Sequence, residues 1–352
     1  MEKYNIDNPY LSIVLAGRND NYGGDFDMRL ANSLKWYYSI CEKAKLYTEI
    51  VLVNYNPIPD SPALQSRITV PKGAKYVVLR MITVDEKTHN SYNNEAKRKK
   101  LPFYEFIAKN IGIRRAKGEY ILSTNADIIV PDNILKHIAQ QSLASDTYYR
   151  TSRADFHKFD TTAYSNGKLI AACKQNTFKV FMKGFTYDIK GQNFSIELLS
   201  LKIYNFFRLK YNLFKAEFPT VMNRWGISFV SHNAEYKYHC QGSGDFMLMH
   251  RNNWIKLRGN PENTMVSTHA DSWIVIIAAA SGLNEKIFYT PVFHQHHERR
   301  FGWDDMNSNP FFRSEYERFE TAALSMLAAK KPIIENDDQW GCGETKFEEQ
   351  IL

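Results

Sequence analysis

The chain is 352 residues long, 44% hydrophobic and 24% charged, and its 45 lysines and arginines against 38 acidic residues leave a formal charge of +7. That composition excludes a disordered chain, and no run approaches the ~20 apolar residues that span a bilayer, the longest candidate being WIVIIAAASGL from Trp273. The positive balance favours anionic partners, but the basic residues are dispersed and form no nucleic-acid recognition motif.

At this length one domain with an insertion or an extension is expected rather than two independent domains. The N-terminus, MEKYNIDNPYLSIVLAGR, has a polar start and a brief apolar run, which suits a first strand better than a signal peptide, so a cytoplasmic location is expected. Cys41, Cys173, Cys240 and Cys342 are widely scattered without a CxxC pair, the pattern of reduced cysteines with packing roles.

Short apolar runs then alternate with helical patterns, the signature of a mostly parallel, Rossmann-like sheet flanked by helices. LSIVLAG at 11–17 reads as a first strand, residues 26–44 as a crossover helix, EIVLVNYNP at 49–57 as a second strand and YVVLRM at 76–81 as a third. The loop AGRNDNYGGDFDMR lies at the carboxyl edge of the first strand, where ligands collect in open α/β sheets. Arg18, Asn19 and Asp20 are therefore placed to meet a nucleotide, and Arg29 to reach a phosphate. The glycines of this loop fit neither GxGxxG nor a P-loop, and a plain turn also accounts for them.

The densest signal is NIGIRRAKGEYILSTNADIIV, residues 110–130. Ile111, Ile113, Ala116 and Tyr120 form an apolar face at helical spacing, Gly118 is expected to stop the helix, and Tyr120-Ile121-Leu122 begins a strand. Its side chains turn polar at Ser123-Thr124-Asn125-Ala126-Asp127. Asn125 and Asp127, two apart, would project into one crevice, where Asp127 is suited to hold a divalent cation on a diphosphate. Pro131 and Asp132 then open a helix to about residue 142.

This unit resembles the glycosyltransferases of the GT-A fold, particularly the large family 2 group, whose usual pattern is a helix near ARNxGxxxAxGEYI followed by a strand ending in DxD. Asn110, Gly112, Ala116, Gly118, Glu119 and Tyr120 match the helix, and Asn125-Ala126-Asp127 stands where DxD is expected, so its first aspartate is replaced. The resemblance implies a nucleotide-sugar donor, a glycan or glycolipid acceptor and an Mn²⁺ or Mg²⁺ cofactor. On the donor side it implies Gly17, Arg18, Asn19, Asp20, Asn54, Asn110, Arg114, Asn125 and Asp127. Strand two ends in Asn54-Tyr55-Asn56, without the family's acidic residue near the base, so the resemblance carries no uridine specificity.

From about 148 to 239 the alternation is lost. SIELLSLKIYNFFRLKYNLFKAEF at 195–218 reads as a long helix with a broad apolar surface and Lys202, Arg208, Lys210 and Lys215 interspersed, which suits a core helix, an oligomer contact or an interfacial membrane helix. QGSGDFMLMHRNNWIKLRGNPE at 241–262 is similar to the acceptor-side element of the family, with Gly244, Asp245 and, a little further on, His269 on the acceptor; Asp245 equally suits a turn cap. STHADSWIVIIAAASGL resembles the family segment EDxxLxxRxxxxG, which makes Asp271 the base of an inverting transfer, a role compatible with capping the helix that follows. PVFHQHHERRFGW is similar to a HxxH element before Gly-Trp, with His294 and His297 as metal ligands beside Asp127 and with Arg299 and Arg300 on the leaving diphosphate. Surface or core histidines are the other reading.

The expected organisation is a nucleotide-sugar half at 1–147, a variable helical or irregular insertion at 148–239 that meets the acceptor or a membrane, an acceptor-side and catalytic half at 240–303, and a C-terminal extension at 304–352. The expected activity is inverting sugar transfer in surface polysaccharide assembly, in the cytoplasm or at the inner face of the membrane. A retaining transferase, a sugar nucleotidyltransferase (which would need a GxGTR loop after Ala16) and a catalytically silent glycan-binding subunit are the rivals.

Overall fold

The computed structural model describes residues 4–92, 101–159, 166–191, 193–223, 234–262, 270–298 and 310–352. β1 (Leu11–Gly17) is followed by α1 (Phe26–Lys43), β2 (Thr48–Tyr55), β3 (Val77–Val84) and the short α2 (Glu86–Ser91). Next come α3 (Glu105–Arg115), β4 (Tyr120–Ser123), β5 (Ile128–Ile129) and α4 (Asp132–Ala139). The strands β3, β2, β1 and β4 lie side by side in that order and are parallel. Every residue of β1, β2 and β4 is buried, as helices on both faces of a parallel sheet require. Successive side chains go to opposite layers: Ile13 and Leu15 pack with Leu30, Leu34 and Tyr37 of α1, while Val14 and Ala16 pack with Ile107 and Ile111 of α3.

Two glycines allow this unit to close. A Cβ on Gly112 would lie 2.6 Å from Val14 Cγ1, and one on Gly118 would lie 2.4 Å from the Ser12 backbone nitrogen. The expected helix stop at Gly118 is corrected: α3 ends at Arg115, where Ala116 turns into the extended region at φ −68°, and Gly118 instead lets the chain cross β1 at close range.

The stretch after α4 contributes β6 (Thr147–Phe156), α5 (Asn166–Gln175), a hairpin of β7 (Thr177–Met182) and β8 (Phe185–Asp188), the long α6 (Phe194–Asn223) and α7 (Ala234–Lys237). All ten residues of β6 are buried, so a strand of the main sheet runs through a segment where the sequence showed no strand pattern. Arg150 and Arg153 hide it. Arg150 is spent on the carbonyls of His239 and Gln241, at 3.0 Å each, and Arg153 on two carboxylates.

β9 (Met247–His250), α8 (Arg251–Leu257), α9 (Ala270–Ala280), β10 (Asn284–Gln295), α10 (Pro310–Ala329) and β11 (Glu348–Ile351) complete the chain. β9 bridges β4 and β6, antiparallel to both; β10 runs parallel to β6 and antiparallel to β5. The parallel pairing is thus concentrated among β1–β4 and in the β6–β10 pair, and the remaining pairs are antiparallel. β11 covers the edge of β3, held by Arg80, which ion-pairs with Glu49 at 2.8 Å and Glu349 at 2.9 Å. All four cysteines are free. Among the described residues no helix is long and apolar enough to cross a membrane.

Candidate active site

Strand register assembles the polar residues at one edge. Gly17 and Asn54 are paired at the carboxyl ends of β1 and β2, and β4 ends at Ser123, in register with Val14 of β1. The chain from Thr124 to Asp127 leads into β5, whose carbonyls are fixed by α1: Tyr37 donates to Ile128 O and Trp36 to Val130 O, both at 2.7 Å. On the other side of β5, His294 of β10 is in register with Ile128 and, across the β6–β10 pair, with Asp155.

The result is a buried cluster around Asp127. His297 Nε2 lies 3.2 Å and His294 Nε2 3.7 Å from Asp127 Oδ2, and Arg29 donates to the same oxygen at 2.6 Å. Asp127, His294 and His297 each offer a ligand atom, all within 4.8 Å of one another. His294 Nδ1 is 3.2 Å from Asp155 Oδ1, a carboxylate behind the imidazole that sets the ring's orientation. The β1–α1 loop closes over the cluster: Gly23 sits at φ +73° with room for no Cβ against His297, and the Tyr22 ring is 5.1 Å from the His297 ring. His296 points elsewhere, edge-on to Phe178.

The electrostatics follow from this crowding. Burial opposes ionisation of Asp127, but the His294 charge and hydrogen bonds from both histidines, with Arg29, hold it well below the ordinary carboxylate value. Burial likewise opposes charge on His294, and Asp127 and Asp155 overcome it and push the imidazole up to about 9. Asp127 Oδ1 is buried and accepts no hydrogen bond among the described residues. One carboxylate and two imidazoles with an unmet buried oxygen form a donor set that suits a divalent cation.

Asn125 stands at the second half of the cleft. It accepts from Lys109 Nζ at 2.5 Å and donates to Asp245 Oδ1 at 2.9 Å, while Asp245 Oδ2 accepts from Arg153 at 2.8 Å. An aspartate at 125 would set two carboxylates against each other, so the amide in place of the first DxD acid has a local reason. Lys109 is fully buried and also binds Glu105 and the Gly244 carbonyl. Gly244 N donates to Asp271 Oδ2 at 2.8 Å, and Ser272 N to Asp271 Oδ1 at 2.9 Å. A continuous polar chain therefore runs from Asn125 through Lys109 and Gly244 to Asp271.

Some expected residues are engaged elsewhere. Asn110 is buried, with its amide bound to Asn260 and Glu262, and Arg114 donates to the carbonyls of Asp338 and Trp340; both anchor later segments. Their helix packs with its polar side against the C-terminal turn at 340–342, which accounts for these partners. Asn19 is consumed by the 58–62 turn, accepting from Ile58 N at 2.7 Å and donating to Ile58 O at 3.0 Å. Arg18 ion-pairs with Asp20 and donates to Asn56 O, keeping both beside Gly17 and Asn54 at the strand ends. Gly17 is needed because a Cβ there would strike Phe26 at 2.4 Å. His269, Arg299 and Arg300 lie outside the described residues. Lys109, Arg153 and Asp155 were not anticipated; the Glu105–Lys109 spacing of four was their one visible signal.

The architecture is an α/β sheet with a cluster of polar side chains beyond the carboxyl edge of its parallel strands. No protein-family model matches the sequence, and no curated protein matches it. Among solved structures the chain is similar to GalNAc-T7 with UDP, GalNAc and Mn²⁺, at 11% identity over 89% of this chain and 48% of that one, with a TM-score of 0.48. It is also similar to the mannosyltransferase PcManGT from Pyrobaculum calidifontis in complex with GDP-Man and Mn²⁺, at 12% identity over 94% of this chain and 77% of that one, with a TM-score of 0.42. The chain spans about half the length of the first of these. The likenesses are faint, and the functional reading rests on the chain's own residues.

Proposed function

We propose that the protein is a metal-dependent glycosyltransferase that moves a sugar from a nucleotide-sugar donor to a glycan or glycolipid acceptor, with inversion, in surface polysaccharide assembly at the inner face of a membrane. The observation that carries the reading is the convergence of Asp127, His294, His297 and Arg29 where the parallel strands end, the place at which open α/β sheets take phosphorylated ligands. Asp127, His294 and His297 would hold the cation, which when bound supplies Lewis-acid neutralisation of the departing diphosphate. Two imidazoles beside one carboxylate favour Mn²⁺ over Mg²⁺, which prefers oxygen ligands.

The chain's own groups do the rest. The 17–20 loop and Asn54 enclose the nucleoside, and Arg29 adds positive charge at the phosphates. On the acceptor side, Asp271 takes the proton of the attacking hydroxyl. That oxygen bonds to the anomeric carbon as the carbon–oxygen bond to the diphosphate breaks, and its electron pair leaves with the nucleoside diphosphate. Asp245 is a poorer base: it is 3% exposed and ion-paired with Arg153, whereas Asp271 is half-buried and, among the described residues, accepts only from the backbone amides of Gly244 and Ser272.

The test is incubation with mixed nucleotide-sugars and Mn²⁺, followed by mass spectrometry. Free nucleoside diphosphate, lost on adding EDTA and restored by Mn²⁺ more than by Mg²⁺, is the expected result. Pyrophosphate would identify a nucleotidyltransferase, and no turnover a binding subunit. A product with the donor's anomeric configuration would exclude inversion. In calorimetry, Asp127→Ala should weaken nucleoside diphosphate binding in the presence of Mn²⁺, and unchanged affinity would remove the metal from the proposal.

A further inference from the structure

α6 has two unlike sides. Phe194, Leu198 and Asn205 face the protein: the Phe194 ring lies 6.1 Å from Phe293, and Asn205 accepts from the Tyr187 hydroxyl at 2.8 Å and donates to the Lys183 carbonyl. On the other side Ile196, Ile203, Phe206, Phe207 and Tyr211 are each 53% to 65% exposed. At ~100° per residue these five fall within an arc of about 140°, an apolar stripe along more than four turns. An exposed stripe of this size on a folded protein marks a contact surface.

Its rim is basic. Lys210 is exposed within the arc, and Arg208 and Lys202 flank it, Arg208 laid over the Phe185 ring and Lys202 over the Tyr289 ring with its ammonium bound to the Tyr289 carbonyl. Glu197 is the one acidic residue between 194 and 214, and it is committed to the backbone amides of Lys190 and Gly191. A second copy of the chain seated on this stripe would bring basic rim against basic rim with no carboxylate to answer it. A negatively charged bilayer surface complements both parts: aromatic and aliphatic side chains enter the acyl boundary while the basic groups stay at head-group level.

We infer that α6 is an interfacial helix that attaches the protein to an anionic lipid bilayer through the stripe of Ile196, Ile203, Phe206, Phe207 and Tyr211. This stands independently of the proposed transfer reaction. It also sets the candidate site close to the membrane, because Phe194 packs on Phe293, the residue next to His294.

The experiment is flotation of the full chain with vesicles of phosphatidylcholine alone and of phosphatidylcholine mixed with phosphatidylglycerol. The wild type should float with the mixed vesicles, less so as salt rises. The triple variant Phe206→Ser, Phe207→Ser, Tyr211→Ser should partition at least about tenfold more weakly with unchanged circular dichroism and a melting temperature near that of the wild type, because each of those side chains is more than half exposed. Lys210→Gln should weaken attachment only to the anionic vesicles. Two results would overturn the inference: a wild type that floats with neither vesicle, or light scattering that shows a dimer dissolved by the triple substitution and no vesicle binding. Equal flotation of wild type and triple variant would place the attachment elsewhere and overturn it too.

Discussion

Asn125 shows how much chemistry one atom exchange carries. Its oxygen faces the Lys109 ammonium and its nitrogen faces the Asp245 carboxylate, and an amide alone serves both without adding charge. Asn125→Asp should therefore destabilise the protein at neutral pH by about 1–3 kcal/mol, softened by Lys109, and the loss should shrink in acid as the facing carboxylates share a proton. Urea titrations at two pH values check both sign and slope. Asp271→Asn keeps the contact to Gly244 but removes the base; turnover should fall on the order of 10²-fold or more with donor affinity nearly intact, and near-normal turnover would exclude Asp271. Two histidines shape the pH profile of the metal-free protein in opposite senses. His239 is buried beside Arg150 and Lys183, and burial first, then those charges, hold it well below the ordinary 6.5. The unfolded chain then gains a proton that the folded one refuses, so stability falls as pH drops below about 6.5. His294, raised to about 9, contributes stability that is complete below 6.5 and lost as pH rises through 9. Melting curves across pH should show His239→Asn flattening the acid limb and His294→Gln the alkaline limb.

At the scale of elements, legibility followed burial on two faces. β1, β2 and β4 are apolar runs between helical patterns, so their places along the chain were readable to within a residue or two. β6 was not, because its buried arginines are neutralised by Asp155, Asp245 and the carbonyls around 240, partners that only the folded chain supplies. The same reason separates the candidate site's halves: the polar stretch from Ser123 to Asp127 was legible, and the His294–His297 pair was singled out, but their meeting depends on a β5–β10 pairing across more than 160 residues. Asn110 and Arg114 misled because they sit on the motif-bearing helix yet answer to the C-terminal turn. The two close-packed glycines offer a graded test. At Gly118 the obstacle is the backbone of β1, so Gly118→Ala should cost about 2–4 kcal/mol in urea unfolding. At Gly112 it is one valine methyl, which can yield, and helix propensity returns part of the strain, so Gly112→Ala should cost less than about 2. Equal penalties would show that β1 gives way as readily as a side chain.

Across the whole molecule, the C-terminal segment belongs to the sheet rather than trailing from it. Arg115 donates to the carbonyls of Gly341, Gly343 and Thr345, and β11 covers the β3 edge. Ending the chain at residue 335 should strand the Arg80 and Arg115 donors and expose that edge, giving a protein that melts lower and aggregates on heating, measurable by light scattering. The chain of hydrogen bonds from Asn125 through Lys109 and Gly244 to Asp271 has a different consequence. Lys109 at its middle is fully buried, so neither wall of the site can shift alone without leaving a polar group unmet, at about 1–3 kcal/mol for each. The two walls therefore behave as one lever, and whatever factor a ligand at the Asp127 end applies to affinity at the Asp271 end, the second ligand applies back to the first, so a single coupling constant can be read from either side.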